Sequence, residues 1–250
     1  VRVRKQPILI ASLVTVGLLA ASCSSSSGSS SSSTTSTKGS AAAAKLITKS
    51  QNAVQTAGSV HFVDVTKIGA KSETLTGDIG PTQAQETLTV SNQIVLEVRL
   101  VSSTVYIQTT SASVLQSALS LSATTAAAST GKWIQLSASD TPTSSIVQSL
   151  TLNSALSIYY PKSSAATTLP TKTIGNVTVI PVTSSSQPNK TTTETTTLFV
   201  AQSTSLPAAA NLLAKSGKTT ETKEAAFTQW GAPVSVTAPT GAVTYASLAG

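Results

Sequence analysis

The chain has 250 residues, only 10% of them charged, with 16 Lys and Arg against 9 Asp and Glu and a net charge of +7 at neutral pH. One cysteine and one histidine exclude an internal disulfide and any His- or Cys-rich metal centre. The basic residues fall singly along the chain, which excludes a nucleic-acid footprint, and the plentiful Ser, Thr and β-branched residues favour a β-rich exported domain.

Arg2, Arg4 and Lys5 precede an apolar run, Ile8 to Ala21, that is too short to span a bilayer comfortably. Small residues then lead to Leu18-Leu19-Ala20-Ala21-Ser22-Cys23. This is the layout of a secretory signal, here residues 1–22. A signal that ends on cysteine resembles the lipobox of bacterial lipoproteins. The resemblance implies that Cys23 takes a diacylglyceryl group and becomes the mature N-terminus, anchoring the chain on the extracytoplasmic face of the cell membrane. Ala20 stands where that motif usually has Leu, with Leu19 one place earlier. A GUG start codon would account for Val1. Removing Arg2, Arg4 and Lys5 leaves 13 basic against 9 acidic groups, or +4. Ser24 to Ser40 is almost wholly Ser, Thr and Gly, too polar to fold, and is expected to be a flexible tether with an average reach of about 20–25 Å.

Ala41 to Ala57 consists of good helix formers with Leu46, Ile47, Gln51 and Val54 near helical spacing, and Gly58 stands where a helix closes. Strand-like runs follow at Val60–Ile68, Glu73–Ile79, Ala84–Val90, Ile94–Val101 and Val105–Thr109, joined by short turns that predict antiparallel hairpins. In the fourth run Ile94, Leu96, Val98 and Leu100 share one face and Glu97 and Arg99 the other, the alternation of a sheet covered on one side. The period then changes. Val114, Leu115, Ala118, Leu119 and Ser122 predict a helix capped by Ser111 or Ser113. Lys132–Ser137 returns to strand, and Ile146, Val147, Leu150 and Leu156 predict a second amphipathic helix after the turn at Asp140–Thr143. Tyr159-Tyr160-Pro161 opens a long polar loop, followed by strands at Thr173–Thr183 and Thr193–Gln202 and two shorter ones at Leu206–Leu213 and Thr219–Trp230. Gln187–Lys190 is expected as a hairpin tip, Gly231-Ala232-Pro233 as the end of the domain, and Val234–Pro239 as an edge extension. The order predicts an α+β domain over 41–250, a wide curved antiparallel sheet wrapped over a few helices.

SVHF at Ser59–Phe62, LTGDI at Leu75–Ile79, GKWIQL at Gly131–Leu136 and FTQWGAPVSVTAP at Phe227–Pro239, taken with the lipobox and tether, resemble the LppX/LprG-type envelope lipoproteins of actinobacteria, which are LolA-like lipid carriers. The resemblance covers about residues 41–240. It implies a half-open β-barrel plugged by helices, an apolar cavity between them for the acyl chains of a lipid or lipoglycan, and a membrane transporter among the conceivable partners. The chain departs from that pattern in its richness in Thr, Ser and Ala, its few aromatics, and polar inserts at Ser163–Thr171 and Ser184–Thr193.

No residue pattern points to covalent chemistry. His61, with Asp64 close by on the same strand and able to share its face, reads as a plain strand histidine beside a carboxylate rather than a metal ligand or catalytic dyad. No G-x-S-x-G, P-loop or dinucleotide pattern occurs. Glu73 and Asp78, or Glu221 and Glu224, read as solvated residues rather than a glycosidase pair. The sequons at Asn176 and Asn189 read as chance in a Thr-rich chain, and Trp133 and Trp230 are expected to pack at sheet ends. Catalytic residues, cofactor and metal are therefore expected to be none. The expected function is acyl-chain binding in a cavity lined from the sheet by Leu75, Leu88, Val90, Leu96, Val98, Leu100, Val105 and Ile107, and from the helices by Leu115, Leu119, Ile146 and Leu150. The rival from another class is a surface structural, interaction or sensor module in which those residues meet in a closed core.

Overall fold

The computed structural model describes residues 40–249; the signal over 1–22, Cys23 and the tether as far as residue 39 lie outside them. The first helix, α1 (Ala41–Ala57), starts where the Ser40 side chain accepts a hydrogen bond from the Ala43 amide at 3.1 Å, satisfying one of the orphan donors of the first turn. It stops at Gly58, whose φ of +73° favours glycine and whose N–H returns to the Val54 carbonyl at 3.1 Å. Ala43, Ile47, Ser50 and Val54 form its buried stripe.

Five hairpin-linked strands follow: β1 (Val60–Ile68), β2 (Lys71–Ile79), β3 (Gln83–Val90), β4 (Gln93–Val101) and β5 (Thr104–Thr109). The β3–β4 turn places Ser91 and Asn92 both at positive φ, the geometry whose twist matches the flanking strands. Next come α2 (Ala112–Leu119), α3 (Ala123–Ser129), β6 (Ile134–Leu136), α4 (Thr143–Ser149) and α5 (Leu152–Ser157). A second series closes the chain: β7 (Thr167–Thr168), β8 (Lys172–Ile174), β9 (Val177–Asn189), β10 (Thr192–Ala201), β11 (Pro207–Ser216), β12 (Thr219–Thr228) and β13 (Val243–Thr244).

All thirteen strands belong to one sheet, in the order β13-β6-β5-β4-β3-β2-β1-β12-β11-β10-β9-β7, with β8 also paired to β9. Every pairing is antiparallel except β13 on β6. The β1–β12 ladder, His61 opposite Thr228 through Ile68 opposite Glu221, joins the two meanders into one surface. The sheet is curved and does not close. Register shifts at Leu88/Thr89, Phe199/Val200 and Thr192/Glu194 supply bulges, which bend and twist a ladder. The helices lie over one face, and α1, α2, α4 and α5 contribute Ile47, Val54, Leu115, Leu119, Ile146 and Leu156 to a single core with the inward residues of the strands.

The cover helices and the second meander differ from the sequence expectation. The first cover helix ends at Leu119 and Ser122 is not on its stripe; it caps a separate helix, α3, by accepting from the Thr125 amide at 3.1 Å. The second amphipathic helix is broken in two, because Thr151 adopts an extended conformation and caps α5 through the Ser154 amide at 3.2 Å. The polar loop after Tyr159 carries a 3₁₀ turn at Ser163–Ala165 and the short strand β7. The strand expected over Thr173–Thr183 is divided by the turn at Gly175-Asn176, and β9 runs on to Asn189, so the supposed insert at Ser184–Thr193 is mostly ladder and the hairpin tip shifts to Lys190-Thr191. The two strands expected to be short, β11 and β12, have ten residues each. Gly231 does not end the domain, and Val234–Pro239 forms no strand. That segment crosses the outer face instead, tied by Ser59 Oγ to the Ala232 carbonyl at 2.7 Å and by the Val236 amide to Gln83 Oε1 at 2.6 Å. Prolines at 233 and 239 remove donors a ladder would need. The added edge is β13, farther along.

Candidate functional site

The register determines what the inward face offers. Nearest one end of the strands runs a wholly apolar row: Val60, Ile79, Ala84, Leu100, Val105 and Leu136. The next row is Phe227, Phe62, Gly77, Glu86, Val98, Ile107 and Ile134. The third runs Val182, Leu198, Ala210, Ala225, Asp64, Leu75, Leu88 and Leu96. The fourth, toward the turns at Gly69, Ser91-Asn92 and Gly217, turns polar: Ser184, Thr196, Leu212, Lys223, Thr66, Glu73 and Val90. The concave face is thus oily at its base and polar toward one rim.

Gly77 is required for the second row. A Cβ there would stand 2.5 Å from Phe62 Cζ, so only glycine lets the Phe62 ring lie across β2. Phe62 and Phe227 face each other across β1 and β12. Tyr159, 2% exposed, meets Phe227 edge-on at 5.9 Å between ring centres, and Phe227 reaches Trp230 at 6.1 Å. Trp230 sends its indole N–H to the Pro207 carbonyl at 2.8 Å, while Trp133 lies under the Arg99 guanidinium at 4.7 Å.

All twelve residues expected from the sequence to line a cavity come together in one cluster with the helices. Ten are buried, from 0% exposure at Val105, Ile107, Leu115 and Leu119 to 6% at Leu100, and Leu75 and Val90 are half-buried beside them. Recesses lie elsewhere. One of about 320 Å³ between α1 and α5 is lined by Val54, Gln55, Asn153, Leu156 and Tyr160. A shallower groove of about 470 Å³ joins Leu46, Leu169 and Ile180 with Lys45 and Lys49 at its edge. A cleft of about 270 Å³ on the outer face holds His61 and Asp78.

His61 and Asp64 do not share a face. Three residues apart on a strand, they point to opposite sides: His61 outward, its Nδ1 2.7 Å from Asp78 Oδ1, with Gln85 Nε2 donating to Asp78 Oδ2 at 2.8 Å. Asp64 points inward. Tyr159 donates its hydroxyl hydrogen to Asp64 Oδ2, and Oδ1 is buried with no hydrogen-bond partner. Burial pushes the Asp64 carboxyl above its usual range, against the Tyr159 hydrogen bond and the Lys223 charge. Burial, followed by the Asp64 charge, pushes the Tyr159 phenol up. Glu86 lies half-buried on the same face and is pushed up to about 7, first by burial and then by Asp64. Lys223 Nζ donates to Thr66 Oγ1 at 3.3 Å and lies 3.5 Å from Glu221.

Asp64 was read as a neighbour of His61 and not as an interior group, and Glu86 and Tyr159 escaped the sequence reading. Glu86 could have been found, since it alternates with Ala84 and Leu88 on β3; Tyr159, in a connector 95 residues from Asp64, carried no such signal. Among the described residues no group of three or more His, Cys, Asp or Glu is arranged to hold a metal, and no helix is long and apolar enough to cross a membrane.

No protein-family model and no curated protein matches the sequence. Among solved structures, the Mycobacterium tuberculosis lipoprotein LppX is similar with a TM-score of 0.50 and 15% identity, over 78% of this chain and 98% of that one. LprF from Mycobacterium bovis is similar with a TM-score of 0.51 and 14% identity, over 82% of this chain and all of that one. At such identities the likeness is one of fold: a large, open, curved antiparallel sheet covered by helices.

Proposed function

We propose, from the fold this chain shares with two mycobacterial lipoproteins, that it is a non-catalytic, membrane-anchored envelope lipoprotein that binds the acyl chains of a lipid or lipoglycan and carries it between envelope layers. In this reading residues 1–22 are removed, Cys23 is acylated, the Ser-rich stretch is a tether, and residues 41–250 bind lipid. The observation that carries it is the concave apolar face, covered by short helices instead of a second sheet. Helices α2 to α5 have six to eight residues each, below the length at which a helix is stable by itself, so they hold their place by packing alone. They can shift to admit a chain without breaking the ladder beneath. The twelve apolar residues of the face and its cover would then line the chain's path.

The energetics favour a carrier. Burying an acyl chain is worth about 0.8 kcal/mol per CH₂ relative to water. Relative to a bilayer the gain nearly vanishes, so loading and unloading proceed close to equilibrium with no covalent step. Full-length protein purified from its membrane, extracted with organic solvent and analysed by mass spectrometry, should release lipid in stoichiometric amount, and it should move labelled lipid between vesicles. Recovery of no lipid together with no transfer refutes the proposal.

A second reading, a surface interaction or sensor module with a closed core, rests on the near-complete burial of ten of the twelve residues. It expects an empty extract.

A further inference from the structure

We propose that the buried carboxylate of Asp64 receives a hydroxyl group of the bound lipid, so that the ligand is a hydroxyl-bearing lipid and not a bare hydrocarbon chain; this rests on the lipid-binding reading above. Asp64 is 8% exposed and sits in the middle of an apolar row, between Ala225 on β12 and Leu75 on β2. A buried carboxylate oxygen without a partner is among the least favourable arrangements a protein interior can hold. Asp64 Oδ1 is such an atom. Tyr159 accounts only for Oδ2, and anchoring one tyrosine needs no charge, since a neutral acceptor would serve.

The surroundings say what the second oxygen awaits. Thr66, the next inward residue along β1, and Leu75, opposite Asp64 on β2, both keep some accessible surface, so a group entering from the polar rim passes Thr66 to reach it. Glu86, one strand farther and opposite Gly77, is partly accessible as well. Thr66 and Lys223 offer donors, with Lys223 Nζ 3.3 Å from Thr66 Oγ1, while Asp64 and Glu86 offer acceptors. At that rim Lys223 is paired with Glu221 at 3.5 Å and Glu73 stands opposite Thr66, so with Asp64 and Glu86 the carboxyl groups outnumber the one ammonium and an anion is disfavoured. A neutral hydroxyl both donates and accepts and satisfies this mixed set.

The test uses the full-length chain in detergent, loaded with the methyl ester of dansyl-labelled undecanoic acid, a probe without charge or free hydroxyl. The probe is displaced by monopalmitoylglycerol, which has free hydroxyls, or by methyl palmitate, which has none. The wild type should prefer monopalmitoylglycerol by about tenfold, the size of one hydrogen bond to a charged acceptor. Asp64→Leu, which removes the charge and retains the packing, should shrink that preference below about twofold without weakening methyl palmitate. Asp64→Asn, nearly isosteric and still an acceptor, should hold an intermediate preference and carries the comparison where the leucine variant does not fold. Equal displacement by both lipids, or equal loss of both in the Asp64 variants, overturns the hydroxyl assignment alone. Failure of the wild type to bind either lipid overturns the lipid-binding reading and this inference with it.

Discussion

Replacing Glu86 by Gln should stabilise the protein at neutral pH and do nothing in acid. The folded chain holds this carboxyl at about 7, against its usual 4.5, because burial and the neighbouring Asp64 both oppose its ionisation. Between those two values the folded state keeps a proton that the unfolded state has lost, so stability falls as pH rises through this window. At about 1.4 kcal/mol per tenfold change in proton affinity, the penalty once Glu86 is ionised comes to about 3 kcal/mol. Glu86→Gln keeps the shape and has nothing to ionise. Urea unfolding of both proteins from about pH 4 to about pH 8 should show coincident midpoints at the acid end. The difference should open through the window and level off at about 3 kcal/mol in favour of the variant. Asp64 adds to the burial of Glu86 in opposing its ionisation, so in an Asp64→Asn background the difference should shrink. A variant no more stable than the wild type at the alkaline end, or a gap that does not vary with pH, would show that neither burial nor Asp64 opposes the ionisation of Glu86.

Tyr159→Phe keeps the edge-on contact with Phe227 but leaves both oxygens of Asp64 without a partner, and should cost about 2–3 kcal/mol at neutral pH by denaturant titration; an unchanged midpoint would mean the bond contributes nothing. Gly77→Ala should lose about 1–3 kcal/mol by forcing the Phe62 ring aside, and Phe62→Leu in the same chain should recover part of it, which a double-mutant cycle measures. His61→Ala, by contrast, breaks a pair whose side chains are each 29% exposed, and should change stability by less than about 1 kcal/mol. A larger loss would mark the outer cleft as more than a solvated pair.

Local pattern carried the regular elements well. Ala41–Ala57 was readable end to end because it is a run without interruption that closes at Gly58, and the first five strands because tight turns bound each of them. The alternation fails at Ile94, which the bulge at Leu88/Thr89 turns away from the face of Leu96, Val98 and Leu100 and leaves 54% exposed. The cover was harder. Ser122 and Thr151 look like ordinary members of helical stretches, yet each spends its side chain on a new helix start, a choice settled by what packs beneath. Ala123–Ser129 has too little apolar contrast to show a period at all. The eight expected lining residues on strands share the interior because alternation specifies which face a strand residue takes, and Leu115, Leu119, Ile146 and Leu150 join them because three- and four-residue spacing sets one stripe of a helix.

Which of those inward residues confront one another is a matter of register between strands far apart in the chain, and no local signal contains it. Asp64 is the sharpest case. Its position on β1 says that it points inward, but its environment comes from Ala225, Leu75 and Tyr159, brought beside it by the closure of the second meander onto the first. Composition and periodicity suffice for a β-rich domain with one oily face, because hydrophobic burial is non-directional and tolerant of detail. A buried carboxylate half-satisfied by a tyrosine depends on hydrogen-bond geometry at the scale of an ångström, and only the assembled tertiary structure sets that.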